Sequence, residues 1–355
     1  MTSQGKSKGR GAGFNTPNRF QQLQFEPLNL EPEDDGEPHF VPTQYYKDTS
    51  RTILAKNDSP DVPYTYSLNP YRGCEHGCIY CYARTSHEYL GFSAGLDFET
   101  KIMVKHDAPE LLEAEFQKKT WKPSVVALSG ITDPYQPIER KLEITRRLLG
   151  VFLKYRNPVG IITKNFLISR DLDVLKPLAE LNLVSVCVSF TSLDADLANR
   201  MEPRTAAPHK RLELLNLLSA NGIHAGVLTA PIIPGLNDEE IPSLLREAAA
   251  NGAKFAGWTM LRLTGSVEPL FLEWVRREYP DRASKIINRI KEVHGGKMTD
   301  SRFGVRMRGE GQIAEAIRKL HRLNSAKYGL NGREYKLSVE HFRRITKDDK
   351  QMEMF

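Results

Sequence analysis

The chain of 355 residues has few cysteines and no long apolar run. Four cysteines are too few for a disulfide scaffold in so long a chain, so a close group of them is expected to serve a metal or redox site. No window is apolar over the roughly 20 residues that a membrane-spanning helix needs. The N-terminus lacks the apolar segment of a secretory signal peptide. We therefore expect a cytoplasmic protein whose thiols stay reduced and which has no membrane partner.

The chain also lacks a G-x-G-x-x-G motif after its first predicted strand, which gives a dinucleotide-binding fold little support. What it does have is an alternation of short apolar segments with longer helical patterns. The predicted strands cover residues 124–130, 159–164, 183–190, 223–232 and 255–263, and the predicted helices between them cover 138–155, 169–182, 207–222 and 237–252. Repeated β–α units predict a doubly wound sheet or a βα barrel, with functional residues at the carboxyl ends of the strands.

Four segments are expected along the chain. Residues 1–37 predict a disordered N-terminal tail because they are rich in Gly, Ser, Gln, Pro and acidic residues. Residues 38–66 predict an irregular lead-in, 67–264 the βα core, and 265–355 a mainly helical extension. The extension is basic, since residues 276–355 contain 20 Lys and Arg against 11 Asp and Glu. Such a surplus suits a polyanionic partner, although a solvated helical face has the same composition.

Three of the four cysteines, Cys74, Cys78 and Cys81, lie in the stretch YRGCEHGCIYCYAR with the spacing C-x3-C-x2-C. A structural zinc site needs four protein ligands, usually in two separated pairs. Three local thiolates suit a [4Fe–4S] cluster instead, because they bind three irons and leave the fourth iron open for a small molecule.

A zinc site remains the alternative if a fourth ligand completes it. The candidates for that ligand are His76, His87 and the distant Cys187. Cys187 lies in an apolar predicted strand, where a small buried hydrophobic residue is the more common occupant.

The cysteine stretch resembles the signature of the radical SAM superfamily, which has this spacing and an aromatic residue directly before the third cysteine, here Tyr80. The motifs LSGITDPYQPIE, IITKN and APIIPGLND extend the resemblance over roughly residues 64–264, to the branch related to spore photoproduct lyase, whose members are often labelled DNA repair photolyase-like. The resemblance implies an α/β fold, an incomplete parallel (β/α)6 TIM-like barrel with the cluster in the loop after the first strand. It also implies a [4Fe–4S] cluster and S-adenosylmethionine (SAM) as cofactors, and an external electron donor of the flavodoxin or ferredoxin type.

The resemblance also implies a set of SAM contacts at the strand ends. They are Tyr80 near the adenine, then Gly130, Thr132, Asp133, Lys164, Ser189, Glu202 and Arg204, and more weakly Ala230 and Pro231. A carboxylate and backbone carbonyls suit the SAM amine, and a lysine or arginine suits its carboxylate. Glu202 suits ribose hydroxyls or a pairing with Arg204. A simple β-to-α turn at Asp133 and a solvated lysine at position 164 are the ordinary alternatives.

The resemblance does not identify the substrate. Spore photoproduct lyase uses a cysteine near the end of the second strand as hydrogen donor, and the aligned stretch around Gly130 has no cysteine. Tyr82 matches a tyrosine of the lyase and is expected either to relay a hydrogen atom or to pack.

Three functions therefore stay open. The main hypothesis is a radical SAM enzyme that cleaves SAM reductively and abstracts hydrogen from an unidentified substrate. The candidate substrate is a nucleic acid, with Arg302, Arg306 and Arg308 as phosphate contacts. The second is a radical SAM enzyme acting on a protein or a small molecule. The third is a non-enzymatic, zinc-containing binding module.

Overall fold

The computed structural model describes residues 8–20, 41–332 and 335–345. Within these ranges the strands are β1 (Gln44–Lys47), β2 (Leu54–Lys56), β3 (Tyr66–Leu68), β4 (Tyr71–Arg72), β5 (Lys101–Val104), β6 (Val126–Leu128), β7 (Val159–Thr163), β8 (Val184–Phe190), β9 (His224–Ile232) and β10 (Ala256–Met260). The α-helices are α1 (Leu96–Thr100), α2 (Ala108–Gln117), α3 (Glu139–Leu142), α4 (Ile144–Tyr155), α5 (Leu172–Glu180), α6 (Ala195–Met201), α7 (Pro208–Ala220), α8 (Ile241–Ala250), α9 (Val267–Glu278), α10 (Ala283–Val293) and α11 (Gly311–Lys327). Short 3-10 helices cover Tyr82–Leu90, Phe166–Asp171 and Asp238–Glu240.

Six parallel strands form the frame of the molecule, in the order β3–β6–β7–β8–β9–β10, and β2 adds to β3 in the antiparallel sense. The strands follow one another in chain order with helices in the crossovers, which is the topology of a (β/α)6 barrel. Among the described residues the outermost strands β2 and β10 do not pair, so the barrel is open at that edge. The predicted fold class is confirmed. A second, three-stranded sheet has the order β1–β5–β4.

The predicted strands of the core are all present, three of them shortened by one residue and two by four. The predicted helix 138–155 is divided into α3 and α4, because Glu143 adopts a left-handed backbone with φ 51°. The predicted helix stops at Asn-Gly are also found. Gly222 and Gly252 follow α7 and α8 with φ values of +73° and +90°, which glycine adopts without steric cost.

The described part of the lead-in is not wholly irregular, since β1 and β2 lie within it. These strands are four and three residues long, respectively, and their side chains are mostly exposed. They show no apolar alternation that the sequence would reveal. Residues 38–40 of the predicted lead-in lie outside the described residues.

The prediction of a disordered tail is wrong for residues 8–20. The backbone amides of Gly11 and Ala12 donate to the Glu99 carboxylate at 3.0 and 2.8 Å, and the buried Arg10 donates to the Glu99 carbonyl at 2.9 Å. A buried acceptor thus satisfies backbone donors of a segment whose composition alone suggests disorder. Residues 1–7 and 21–37 of the predicted tail lie outside the described residues.

The C-terminal extension consists of α9, α10 and α11, followed by a segment that returns to the barrel. Helix α11 packs against α8 and α10. Further on, the Arg343 amide donates to the Tyr155 carbonyl at 3.0 Å and Gln117 donates to the Ile345 carbonyl at 2.9 Å. Residues 333–334 and 346–355 lie outside the described residues. No helix in the described ranges is long and apolar enough to cross a bilayer.

Candidate active site

The three clustered thiols lie on one loop between β4 and the 3-10 helix that starts at Tyr82. Cys74 and Cys78 are buried, and Cys81 is partly buried. The Cys74 amide donates to the Phe98 carbonyl at 2.9 Å, and the Cys81 amide donates to the Cys78 carbonyl at 3.2 Å. Gly77 is left-handed, with φ +67°, and a Cβ there would lie 2.7 Å from the Glu99 carboxylate. Only glycine fits this turn of the loop.

A buried ion pair between Arg84 and Glu99 supports the thiol loop. The guanidinium of Arg84 lies 2.5 Å from the Glu99 carboxylate, and both side chains are fully buried. Arg84 also donates to the Cys78 carbonyl at 2.9 Å and to the carbonyls of Ala94 and Gly95 at 3.1 and 3.0 Å. Arg84 thus ties the Cys78 carbonyl of the loop to residues 94–95, and Glu99 ties the same ion pair to the N-terminal segment.

The electrostatics of the loop suit a metal centre that carries positive charge. Burial raises the pKa of all three thiols, and for Cys74 and Cys78 the neighbouring cysteines add to that rise. Thiols in this setting ionise when a metal cation binds them. Within the described residues no group of three or more His, Cys, Asp or Glu is arranged to hold a single metal ion. Three cysteines on one loop suit a [4Fe–4S] cluster, because each would bind a separate iron and the fourth iron would stay open for a small molecule.

The candidate fourth zinc ligands have other partners or surroundings. The Nε2 atom of His76 lies 3.2 Å from the Asn165 amide nitrogen, and its Nδ1 atom lies 3.4 Å from the Asp133 carboxylate. The ring of His87 lies between Phe92 and Phe98, with centroid distances of 5.4 and 5.5 Å. Cys187 lies in the middle of β8.

A polar cluster lies at the carboxyl ends of β7 and β8, where the sequence places it. The Nζ atom of Lys164 donates to Ser189 Oγ at 2.7 Å and lies 3.0 Å from a carboxylate oxygen of Glu202. A longer contact of 3.5 Å joins Lys164 to the Ala230 carbonyl. The structure therefore brings together three residues that the sequence identifies separately.

This cluster reaches the thiol loop through Tyr80. The Tyr80 hydroxyl donates to the Glu202 carboxylate and lies 3.0 Å from Thr191 Oγ1, and Thr191 also donates to Glu202. The Lys164 ammonium lies 5.8 Å from the centre of the Tyr80 ring. The residue before the third thiol is thus anchored on the strand-end cluster.

Glu202 is fully buried and its charge is compensated from two sides. Arg211, from α7, lies 2.5 Å from one carboxylate oxygen, and Lys164 contacts the other. Burial alone would raise the pKa of Glu202, but Arg211 and then Lys164 outweigh it and hold that pKa well below its usual range. The expected pairing of Glu202 with Arg204 is wrong. Arg204 lies beyond the end of α6 and pairs with Glu75 at 3.3 Å.

Asp133 joins the loop after β6 to the end of β7. Its carboxylate accepts from the Thr163 hydroxyl at 2.8 Å, from the Tyr135 amide at 2.9 Å and from the Lys164 amide at 2.7 Å. Asp133 therefore forms the β-to-α turn that the sequence offers as the alternative at this Asp-Pro. The turn is compatible with a role of Asp133 in binding. Thr132 is buried nearby, with its amide 3.4 Å from Asn69 Oδ1.

Tyr82 contacts Gly130, which lies two residues beyond the end of β6. The half-exposed Tyr82 donates from its hydroxyl to the Gly130 carbonyl. Gly130 has φ +134°, a backbone region open essentially to glycine. The Arg262 guanidinium lies 5.8 Å from the centre of the Tyr82 ring. Tyr82 thus contacts the stretch that the sequence resemblance aligns with the cysteine of spore photoproduct lyase.

Two of the three predicted phosphate contacts are already paired. Arg302 lies 2.6 Å from Asp300 and 2.8 Å from Glu310, and Arg306 lies 2.5 Å from Asp61. These pairs neutralise both arginines, which corrects the expectation that they bind phosphate directly. Arg308 differs, since its one hydrogen bond within the described residues goes to the Trp258 carbonyl, at 3.0 Å.

Sequence reasoning missed several residues that build the site. Arg211 and Thr191 enclose Glu202, while Arg84 and Glu99 hold the thiol loop. Arg84 stands at the end of the cysteine stretch. The stretch also contains Arg72, Glu75 and His76, so no local signal distinguishes Arg84, and its partner Glu99 lies 15 residues away and shows only in the fold.

Comparison with known proteins agrees with the cysteine stretch. The model of the Radical SAM superfamily matches residues 68–248. An uncharacterised protein of Mycobacterium tuberculosis (strain H37Rv) is 34% identical over 260 residues, which cover 72% of this chain and 75% of that protein. An uncharacterised protein of Methanocaldococcus jannaschii is 29% identical over 224 residues, which cover 63% of this chain and 80% of that protein.

Solved structures show a similar fold. Spore photoproduct lyase complexed with dinucleoside spore photoproduct aligns with a TM-score of 0.59 and 17% identity, covering 81% of this chain and 80% of the lyase. A double mutant of that lyase with bound AdoMet and dinucleoside spore photoproduct aligns with a TM-score of 0.57 and 16% identity over the same shares of the two chains. The predicted likeness to this branch is confirmed for the fold.

Proposed function

This chain belongs to the radical SAM superfamily, and from that premise we propose that it is an enzyme that binds a [4Fe–4S] cluster through Cys74, Cys78 and Cys81 and cleaves SAM. Held by these three thiolates, a [4Fe–4S] cluster would supply one electron for the cleavage of SAM into methionine and a 5′-deoxyadenosyl radical, which would abstract hydrogen from the substrate. One observation carries the proposal. The buried three-thiol loop is joined, through Tyr80, to a compensated ionic cluster at the strand ends. The electron comes from an external donor of the flavodoxin or ferredoxin type.

Within this proposal Lys164 binds the SAM carboxylate. Its ammonium has three donors, and two of them make short contacts with Ser189 and Glu202. The third makes the 3.5 Å contact with the Ala230 carbonyl. A ligand carboxylate would replace that long contact with a charge-assisted hydrogen bond, which is about twice as strong as a neutral one.

Glu202, in this proposal, positions Lys164 and Tyr80 rather than binding the ribose. Tyr80, Thr191, Arg211 and Lys164 already occupy its carboxylate. A fully partnered carboxylate of this kind keeps its neighbours in one geometry. Asp133 acts in the same way on the end of β7, while Gly130, Thr132 and Ser189 are the proposed polar contacts to SAM.

We propose a nucleic acid as the substrate class. Two observations support it: the fold resembles spore photoproduct lyase, whose solved structures include a complex with dinucleoside spore photoproduct, and the C-terminal extension is basic. The hydrogen donor differs from the cysteine of the lyase. Tyr82, whose hydroxyl lies on the Gly130 carbonyl, is the proposed relay of a hydrogen atom.

The role of Tyr82 has a direct test. The Tyr82→Phe variant is expected to retain iron, sulfide and SAM cleavage, since its hydroxyl serves the substrate step. Loss of iron or of SAM cleavage in this variant would assign the hydroxyl to cofactor binding instead.

The main experiment is anaerobic reconstitution of the full chain, followed by assays of iron, sulfide and zinc per chain. Dithionite and SAM are then added, and 5′-deoxyadenosine is measured. About four irons and four sulfides, together with 5′-deoxyadenosine, are expected. One zinc per chain without sulfide and without cleavage would contradict the proposal and favour the zinc-binding module.

A further inference from the structure

The open edge of the barrel contains a cavity that no part of the proposed SAM site lines. β10 is the last strand in the sheet order, and two contacts cover the ends of its free edge. At one end the Asn331 side chain bonds the Ala256 amide and carbonyl at 3.1 and 3.0 Å. At the other, the Met260 amide donates to the Met307 carbonyl at 2.9 Å. Between these contacts lies a cavity of about 390 Å³ against α11.

The lining of this cavity is cationic. Arg308, Arg318 and Arg322 contribute to it together with His321, and no Asp or Glu is among its described lining residues. Arg318 also pairs with Glu315, which lies outside the lining on the exposed face of α11. The volume falls within the range of small-ligand pockets.

The positive charge of Arg308 is destabilised in this cavity. Its guanidinium stacks on Trp258 at 4.6 Å from the ring centre and donates to the Trp258 carbonyl. Burial, and then repulsion by Arg318, lower the pKa of Arg308. An anion would stabilise the charge of an arginine in this position, because it would replace the hydration that burial removes.

His321 completes the lining of this cavity. It is 4% exposed, and its ring lies beside the Gly257 backbone and Ser325. An imidazole beside three arginines adds a further nitrogen that can donate to an anion.

We propose that the cavity at the free edge of β10 binds a phosphate group through Arg308, Arg318 and Arg322. Planar guanidinium groups suit phosphate because they bind its oxygens in pairs. The shared chemistry is a phosphate monoester or diester, and the expected source is a nucleic-acid strand. The inference rests on the nucleic-acid part of the proposed function and assigns its phosphate contact to Arg308 and its two neighbours on α11, in place of Arg302 and Arg306.

The test uses the reconstituted full chain and measures binding. The probes are a fluorescein-labelled single-stranded 12-mer DNA, AMP and inorganic phosphate. The double variant Arg318→Gln/Arg322→Gln changes two exposed side chains, so the fold is preserved. Lys319→Gln/Lys327→Gln removes the same charge from the same helix outside the cavity lining. A second variant, Arg308→Gln, tests the buried arginine, with far-UV circular dichroism as the check on folding.

We expect the arginine double variant to bind the 12-mer at least tenfold more weakly than the lysine double variant. The slope of log Kd against log salt should fall by about 1.4, since each phosphate contact to a single strand contributes about 0.7. If AMP binding depends on the arginines and 12-mer binding does not, the phosphate site stands and its source is a free nucleotide. Equal loss in both double variants, or no binding of any probe, overturns the proposal. SAM cleavage is measured on the same samples, so failure of the radical chemistry is distinguished from failure of this site.

Discussion

Two groups of cationic side chains in this molecule differ in how their charge is compensated. At the strand ends, Lys164 and Arg211 flank the carboxylate of Glu202, and all three side chains are buried or nearly so. At the free edge of β10, Arg308 and Arg322 line a cavity whose described lining contains no carboxylate. The charges of the first group are compensated within the protein, whereas the second group has no counterion among its described lining residues.

The difference indicates two kinds of binding. A compensated cluster fixes geometry, because each charge holds its neighbours in place whether or not a ligand is present. A cluster without counterions gains electrostatic stabilisation only when an anionic ligand binds. Its affinity therefore depends on the ligand's charge and on the salt concentration. We therefore expect damage to the strand-end cluster to lower stability and SAM binding, and damage to the β10 edge to lower anion binding with little loss of stability.

The largest expected effect follows removal of a thiol. Cys78→Ala should abolish the iron–sulfur cluster, because the loop then offers two thiolates for three irons. Iron and sulfide per chain measure the effect, and Cys187→Ala is the matched control, since Cys187 lies in β8. Binding of the DNA 12-mer should stay unchanged in both variants. Full iron retention in Cys78→Ala would remove the cluster assignment.

The second prediction concerns the buried carboxylate. Glu202→Gln leaves Arg211 and Lys164 without their counterion, and breaking a buried pair in this way costs about 3–5 kcal/mol of unfolding free energy. Urea unfolding measures it. The control is Glu213→Gln, which removes a carboxylate from an exposed pair with Lys210 and should cost about 0–1 kcal/mol. A loss no larger than in the control would show that the cluster does not stabilise the fold.

The stabilisation by the Glu202 carboxylate depends on pH, and the direction of this dependence follows from its pKa. The pKa of Glu202 is lower in the folded protein than its ordinary value of about 4.3 in an unfolded chain. The stabilisation is therefore complete above about pH 5 and is lost as the pH falls below the ordinary value towards the folded one. The difference in unfolding free energy between wild type and Glu202→Gln should be constant from pH 7 to 5 and shrink below about pH 4. A difference that grew on acidification would contradict it.

The third prediction separates SAM binding from the cluster. Lys164→Ala should weaken SAM binding about 10- to 100-fold, the value of one charge-assisted hydrogen bond, while iron content stays that of the wild type. Isothermal titration under anaerobic conditions measures the affinity. Lys210→Ala is the control, since Lys210 is an exposed lysine on α7 that pairs with Glu213. Unchanged SAM affinity would exclude Lys164 from the site.

The sequence predicts the parts of this site that local chemistry determines. Cys74, Cys78 and Cys81 have a spacing with few chemical uses, and the strand ends follow from apolar runs between helices. Lys164 and Ser189 were found because they directly follow or end such runs. The hydrogen bond between Lys164 and Ser189 confirms that the ends of neighbouring parallel strands meet.

What the sequence did not predict depends on long-range partners. Arg204 was expected beside Glu202 because it is two residues away, yet Arg211 takes that place because helix α7 directs it there. Arg306 is expected to be free, but it pairs with Asp61, more than 200 residues distant in the chain. Arg302 is the exception, since its partners Asp300 and Glu310 are local. Composition counts charges and does not show which of them the fold pairs.

The smallest expected effect tests the segment that composition assigned to disorder. A Cβ on Gly11 would lie 1.7 Å from the Gly77 carbonyl oxygen, inside the thiol loop, so Gly11→Ala forces the segment and the loop apart. We expect a loss of about 1–3 kcal/mol in unfolding free energy, as for overpacking elsewhere. Iron retention should fall after gel filtration, with no change in binding of the DNA 12-mer.

Gly150→Ala is the control for this prediction, since no atom lies within 4 Å of the Cβ it would add on α4. Alanine is favoured over glycine in a helix by up to about 1 kcal/mol, so this variant should be as stable as the wild type or more so. If Gly11→Ala matched it in stability and in iron retention, residues 8–20 would not be seated on the loop in solution. The strand-end cluster and Arg84 would then hold the thiols without the N-terminal segment, because their contacts do not pass through Gly11.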